Sequence, residues 1–249
     1  MKIMASDFDG TLFFRFIGDG KGFKDEDLEA IKKFQEAGHR FGVCTGRPLI
    51  GIASQCDGKL DLDFYITTSG AAILNAKKEV VYEKCICHET MVKLAKEFEV
   101  ISDIWIHADH ILYVTKLTSN AHFKQHLVNT YEEIPPHHIH GVSFKAKDDA
   151  TAQDLCLYIN EKYKDCNAYR NDSYIDIVAN KVSKGNTLHV YAQMIGAEKT
   201  YGIGDNFNDI TLLEGADVSY TFHNSPKEVK DASDYFVSGV AEAIEDILK

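Results

Sequence analysis

The chain has 249 residues, 45% of them hydrophobic and 26% charged, and its 38 acidic against 27 basic side chains give a formal net charge of −11. That composition is ordinary for a globular protein with enough core for one or two domains. The negative balance argues against general binding to nucleic acid or an anionic membrane, yet allows an anionic substrate held by a metal and a few local cations. No charged-then-apolar leader and no bilayer-spanning apolar run is visible. The six cysteines (Cys44, Cys56, Cys85, Cys87, Cys156 and Cys166) form no C-x-x-C pair, so reduced thiols in a cytoplasmic protein are expected.

In chain order, Lys2-Ile3-Met4-Ala5-Ser6 reads as a buried strand that runs into Asp7-Phe8-Asp9-Gly10-Thr11. A loop rich in Gly and Phe follows (13–24). Asp25 is placed to cap a helix with apolar positions Leu28, Ile31 and Phe34, which Gly38 ends. Arg40-Phe41-Gly42-Val43-Cys44 and Asp63-Phe64-Tyr65-Ile66-Thr67 are further strands, and this βαβ order implies a parallel sheet with right-handed crossovers.

From Cys85 to Ala179 the rhythm changes. A helix from His88 to Glu99 precedes two short strands, Ile104-Trp105-Ile106 and Leu112-Tyr113-Val114. Another helix, a strand around Val142-Ser143-Phe144 and a helix from Ala150 to Lys162 follow. Ala168-Tyr169-Arg170 and Tyr174-Ile175-Asp176-Ile177-Val178 flank a hairpin turn at Asn171-Asp172. Beyond this α+β unit the first rhythm resumes: Leu188, Tyr191, Ala192 and Ile195 line one helix face, Gly196 stops it, and Thr200-Tyr201-Gly202-Ile203 is the next strand. The expectation is an α/β protein, with residues 1–83 and 180–249 forming one core and 84–179 inserted between hinges near 83 and 180.

Four segments carry chemistry. Asp7 and Asp9 stand at a strand's carboxyl end, where open α/β sheets bind ligands. One carboxylate can attack phosphorus and hold a metal, while the other protonates a leaving oxygen and then activates water. In Cys44-Thr45-Gly46-Arg47-Pro48, a hydroxyl and backbone N–H groups can bind phosphate oxygens; taken alone, the segment reads sooner as a plain turn whose Gly and Pro start the next helix. Lys184, in Val182-Ser183-Lys184-Gly185-Asn186, can neutralise a nucleophile and a phosphate, or lie on the surface. Gly204-Asp205-Asn206-Phe207-Asn208-Asp209 offers hard oxygens suited to Mg²⁺; an Asp/Asn-rich helix cap is the alternative, and the strand before it favours the metal.

Taken in order, Asp7-Phe8-Asp9-Gly10-Thr11, Thr45-Gly46-Arg47, Lys184 and Gly204-Asp205 with Asn208-Asp209 resemble the signatures of the haloacid dehalogenase superfamily. The insertion resembles the cap of its Cof-like, class IIB branch, as do Ser69-Gly70-Ala71, Asp176-Ile177 and the tail around Asn224 and Lys230. The resemblance implies a Rossmann-like core and a Mg²⁺-dependent phosphatase acting on a small phosphorylated metabolite, in particular a sugar phosphate, through an aspartyl-phosphate. Asp7 would be the nucleophile, Asp9 the general acid/base, Thr45 the phosphoryl holder and Lys184 the balancing charge. Gly10, Gly46, Arg47 and Asn208 would contact substrate. Asp7, Asp9 (by its backbone carbonyl), Asp205 and Asp209 would serve the metal. No nucleic-acid or membrane partner is implied, and oligomeric state is left open. A phosphomutase and a catalytically silent phosphosugar-binding regulator are the alternatives.

Three departures stand out: Ser69 where Asn is usual, Lys181 where Gly is frequent, and Phe13 and Phe14 where polar residues are common. The insertion would act as a lid, with Arg170, Tyr174, Asp176 and Asn180 as specificity candidates. Other features are read as structural. The His122/His126 pair lacks the Glu of H-E-x-x-H. Pro135-Pro136-His137-His138-Ile139-His140 is read as a polar loop rather than a transition-metal site. Cys85-Ile86-Cys87 is read as two strand thiols rather than a metal or redox pair, and Trp105 as cap core. Glu242, Glu245 and Asp246 form the wet face of a C-terminal helix.

Overall fold

Fully buried Ile3, Met4 and Ala5 mark the first strand as the centre of a sheet covered on both faces. The computed structural model describes residues 1–17, 20–118 and 124–249. Along the chain come β1 (Lys2–Ser6), β2 (Phe14–Ile17), β3 (Gly20–Gly22), α1 (Asp25–Glu36), β4 (Arg40–Cys44), α2 (Ile50–Cys56), β5 (Phe64–Thr67), β6 (Ala72–Asn75) and β7 (Val80–Glu83). The insertion supplies α3 (His88–Phe98), β8 (Ile104–Ala108), β9 (Ile111–Val114), β10 (Gln125–Leu127), β11 (Ile139–Lys145), α4 (Asp149–Lys162), β12 (Cys166–Asn171) and β13 (Tyr174–Ala179). The chain ends with α5 (Lys184–Ile195), β14 (Lys199–Ile203), α6 (Ile210–Gly215), β15 (Val218–Phe222), α7 (Lys227–Asp231), β16 (Tyr235–Val237) and α8 (Val240–Leu248).

Two large sheets result. The eight-stranded core sheet runs β16-β15-β14-β1-β4-β5-β6-β7 and is parallel from β16 to β5, with β6 and β7 antiparallel. The chain leaves β1 towards β4 on one side and returns to β14 on the other, so the topological switch point lies beyond the carboxyl end of β1. The six-stranded sheet of the insertion runs β10-β9-β8-β11-β13-β12. One of its faces packs Ile106, Phe144, Ile175 and Ile177 against Met91, Leu94 and Phe98 of α3 and Ile159 of α4. No helix is long and apolar enough to cross a membrane among the described residues.

Several details differ from the sequence pattern. Lys24, not Asp25, is the N-cap of α1, and no side chain caps it; the helix instead places Asp25, Glu26 and Asp27 in its first turn, where the dipole favours anions. Between Val114 and Val142, where a helix is predicted, the described residues hold β10 and one 3-10 turn (Tyr131–Glu133). Pairing with β9 decides this: Gln125 clasps Thr118 through its side chain and extends the sheet edge. His122 lies outside the described residues, and His126 sits in β10, not on a helix. The segment after Thr11 contains the paired strands β2 and β3 rather than a plain loop. Phe13 is core: its ring stacks on Phe8 at 5.1 Å and meets Phe23 edge-on at 5.3 Å.

The helix that follows the insertion is started and placed by local chemistry. Ser183 Oγ accepts from Asn186 N–H (3.1 Å) as its N-cap, and Gly196 ends it at φ +64°. A Cβ on Gly185 would sit 1.9 Å from the Thr211 carbonyl, so this glycine allows α5 to press against α6. That close crossing seats Lys184 at the end of β1.

Candidate active site

Three core strands and one helix start converge here. Asp7 N–H donates to the Ile203 carbonyl (2.8 Å), which continues the β1–β14 ladder and aims the Asp7 side chain past the sheet. Asp205 follows β14, Thr45 follows β4, and Lys184 opens α5. Lys184 is 1% exposed; its Nζ donates to Asp7 Oδ1 at 2.6 Å and to Asp209 Oδ1 at 2.5 Å. The other Asp209 oxygen accepts from the Asp205 and Asn206 N–H groups, both at 3.0 Å, within a capping box. Thr11 Oγ1 donates to Asp205 Oδ1 (2.5 Å). Gly10 (φ +85°) is needed at this point, because a Cβ there would lie 2.9 Å from Asp205 Oδ2.

The electrostatics of this cluster are unbalanced. Burial, then the Asp209 charge, pushes the Asp7 carboxyl well above its ordinary range, against the pull of Lys184. The same causes push Asp205 up to about 7. Burial works against the Lys184 ammonium, but Asp209 and Asp7 hold its pKa above the usual lysine value. Three carboxylates share one ammonium, so their full ionisation would leave two negative charges. Oxygens of Asp7, Asp205 and Asp209 all lie within 4.8 Å of one another. A hard-oxygen set with that excess fits a divalent cation. Asp209 has both oxygens engaged, so it steadies the set; among the described residues Asp7 Oδ2 and Asp205 Oδ2 accept no hydrogen bond and remain for an ion.

Asp9 lies differently from its neighbours. Its carboxylate is held bidentate by Arg47, Nε to Oδ2 at 2.6 Å and Nη2 to Oδ1 at 2.5 Å, while Arg47 Nη1 donates to the Gly51 carbonyl. The Asp9 side chain is therefore no metal ligand in this arrangement. Thr45 is anchored by its N–H on the Ile66 carbonyl (2.9 Å), and its Oγ1 accepts from Arg47 N–H. Thr45, Gly46, Arg47 and Asn208 all line the same cleft as Asp7 and Asp9.

That cleft measures about 620 Å³ and is roofed by the face of the inserted sheet that α3 and α4 leave uncovered. Alternation along the strands selects the roof. Ile104 and Ile106 enter the cap core, so Trp105 and His107 face the cleft; likewise Ser143 and Lys145 beside Val142 and Phe144, and Tyr174 and Asp176 beside Ile175 and Ile177. Trp105 is thus a cleft residue, contrary to the core placement read from sequence, with Tyr174 at 5.8 Å. Ser143 Oγ donates to Asp176 Oδ1 (2.8 Å) and meets His107 Nε2 at 3.0 Å. Burial lowers His107 to about 4, so this imidazole is neutral, and burial raises Asp176 despite the Ser143 hydrogen bond. His107, Ser143 and Lys145 were not legible as site residues; their period-2 offset from the Ile/Val/Phe positions is the signal that reveals them.

Of the other specificity candidates, Arg170 lies over the Phe207 ring (3.5 Å), and Asn180 turns away to donate to the Lys164 carbonyl (2.8 Å). Neither lines the cleft. Cap and core touch around its rim: Asn206 Nδ2 donates to Asp172 Oδ1 (2.8 Å), Tyr169 OH to the Val182 carbonyl (2.7 Å), and Ser69 Oγ to Asp176 Oδ2 (3.3 Å). Gly46 permits the approach of Asp176, whose Oδ2 would be 2.8 Å from a Cβ there. Ser69 and Lys181 keep left-handed backbones, φ +51° and +64°, which explains the Asn and Gly usual at these positions.

A family model described as haloacid dehalogenase-like hydrolase matches residues 4–244. The chain belongs to this family. The hydrolase is 26% identical to the putative phosphatase YxeH of Bacillus subtilis (strain 168), over 99% of this chain and 98% of that protein. It is 24% identical to the pyridoxal phosphate phosphatase YbhA of Escherichia coli (strain K12), over 92% and 90%. It shares its fold with a haloacid dehalogenase-like hydrolase from B. subtilis (TM-score 0.87, 18% identity, 98% and 99% covered). It likewise matches a subclass IIB sugar phosphatase of the superfamily (TM-score 0.82, 20% identity, 99% of each chain). The hydrolase is a Cof-like member, a phosphoric monoester hydrolase with an α/β core.

Proposed function

We propose that this hydrolase releases phosphate from small phosphorylated metabolites, sugar phosphates in particular, with Mg²⁺ and an aspartyl-phosphate on Asp7. The observation that carries the reading is the buried Asp7–Lys184–Asp209 network, which turns an unbonded Asp7 oxygen towards a cleft of about 620 Å³. Asp7, Asp205 and the Asp9 carbonyl would hold Mg²⁺, which would supply charge neutralisation for a phosphate dianion beside a carboxylate.

The residues of the chain do the rest. Lys184 holds Asp7 in place and offsets its charge. Thr45 and the Gly46 and Arg47 backbone receive the phosphoryl oxygens. An Asp7 oxygen bonds to phosphorus as the bond to the leaving alkoxide breaks, and Asp9 gives that alkoxide its proton. Asp9 then takes a proton from water, whose oxygen bonds to phosphorus, and Asp7 leaves as a carboxylate. The Arg47–Asp9 pair must part for Asp9 to carry a proton, and an arriving phosphate competes for Arg47. Residues 84–179 act as the cap that excludes water. Trp105 and Tyr174 offer flat faces to a sugar ring, with Asp176 and Asn171 for its hydroxyls. The test is Mg²⁺-dependent phosphate release from a panel of sugar, nucleotide and vitamin phosphates, with Asp7→Asn alongside. Release by wild type alone is expected; silence of the folded, Mg²⁺-bound protein across the panel would overturn it.

A further inference from the structure

Two sequence features that the active site does not use meet at the first hinge. Glu83 ends β7 and pairs with Ala72 in the core sheet, and Lys84 N–H still donates to the core carbonyl of Ala71 (2.8 Å). Two residues later Ile86 N–H donates to the Ile139 carbonyl (2.8 Å) in the cap. Cys85 is the residue between these bonds. The crossing brings the Cys85-Ile86-Cys87 segment beside the histidines that precede and begin β11.

Glu83 reaches both of those histidines. Its Oε2 lies 2.9 Å from His140 Nε2, and its oxygens lie 2.8 and 3.0 Å from His138 Nδ1. The Glu83 carboxylate, the Cys85 sulfur and a His140 ring nitrogen all fall within 4.8 Å of one another. His140 is 1% exposed, and its ring is stacked by His110 at 4.7 Å. None of Glu83, Cys85, His138 or His140 lines the catalytic cleft.

Donor chemistry separates this cluster from the acidic one at Asp7. A thiol, a carboxylate and imidazoles suit a borderline ion that takes four N, S and O ligands, whereas oxygen-only Asp7, Asp205 and Asp209 suit a hard ion. We propose that Glu83, Cys85 and His140, with His138 as the fourth donor, bind one transition-metal ion of the zinc class and so fasten the core's edge strand to the cap. On binding, the Cys85 S–H bond breaks, its proton passes to solvent and a sulfur–metal bond forms; the protons that His138 Nδ1 and His140 Nε2 present to Glu83 move to the opposite ring nitrogens, which frees a lone pair on each imidazole for the metal. Glu83 exchanges its bonds to the imidazoles for a metal–oxygen bond.

The test uses the full chain without an affinity tag, stripped of metal, saturated with Mg²⁺ and titrated with Co²⁺. One equivalent is expected to give a near-ultraviolet thiolate-to-cobalt band with tetrahedral visible bands, displaced by Zn²⁺. Cys85 is exposed, so Cys85→Ser keeps the fold and is expected to lose the band, while Cys87→Ser retains it. His138→Ala is expected to weaken binding about 10- to 100-fold. Zn²⁺ is expected to raise the melting temperature of wild type but not of Cys85→Ser. A folded wild type with no thiolate band, or a band that Cys85→Ser keeps, overturns the site and leaves Glu83 as a hydrogen-bonded partner of two histidines.

Discussion

The core sheet and the cap sheet meet the cleft with different chemistry. The core sends to it the carboxyl ends of parallel strands, and what it delivers there is charge: Asp7, Asp205, Asp209 and Lys184, locked by bonds of 2.5–3.0 Å. The cap lays a whole sheet face over the cleft. What that face offers is mostly aromatic and neutral polar surface, such as Trp105, Tyr174, Ser143 and His107, with Lys145 and Asp176 set among it. An array of fixed charge can stabilise a charge that develops during reaction, whereas a broad face measures the shape of the leaving group. On the proposed function the two regions divide reaction from selection, and substitutions can break or sharpen that division.

The largest effect is expected at the proposed nucleophile. Asp7→Asn should lower Mg²⁺-dependent phosphate release on the order of 10⁴-fold or more, by loss of covalent catalysis, on every substrate alike. A substrate-selective loss would dissolve the division. Next comes Lys184→Met, which leaves Asp7 and Asp209 buried without their cation and should cost about 3–5 kcal/mol of stability in denaturant unfolding.

Metal and pH should separate the regions further. Mg²⁺ at a hundredfold excess over Kd should stabilise the protein by about 2.7 kcal/mol, an effect that Asp205→Asn removes. Without metal, Asp205 keeps its proton in the folded chain up to about 7. The unfolded chain has lost that proton above about pH 4. The folded state then binds more protons across that window, so metal-free stability falls as pH rises from about 4 to 7. Thermal melts of wild type and Asp205→Asn check this; an equal slope in both would show that Asp205 is not the group responsible.

On the cap side, Trp105→Ala should change kcat/KM by about 10- to 100-fold between substrates, with the Mg²⁺ requirement unchanged. Steady-state kinetics on two unlike substrates would show it. The smallest effect is expected at the second hinge. Lys181→Gly removes the Cβ penalty of a left-handed residue but adds chain entropy, for a net gain of up to about 1 kcal/mol in unfolding free energy.

Legibility in the sequence followed the range of the forces involved. The runs Lys2–Ser6 and Arg40–Cys44 coincide with β1 and β4, and Gly196 ends α5, because apolar runs and stop residues act within a few positions. Among the described residues between Val114 and Val142 the predicted helix is replaced by β10, because an edge pairing with β9 outweighs local preference there. Trp105 was misplaced because a strand shows its alternation only once its partners reveal which face the helices cover.

The sequence by itself determined β1, β4, β5 and β14 of the core with the helices α1 and α5, the acidic ends of β1 and β14, and the family those motifs announce. These depend on residue type and short spacing, which the chain carries before it folds. Only the tertiary structure decided that one buried lysine joins Asp7 to Asp209, that Arg47 holds Asp9 across 38 residues of chain, and that Glu83 meets His138 and His140 at a hinge. Those are meetings of groups far apart in sequence. Their energies depend on burial and on distances of a few ångströms, and both are set by how the two sheets pack.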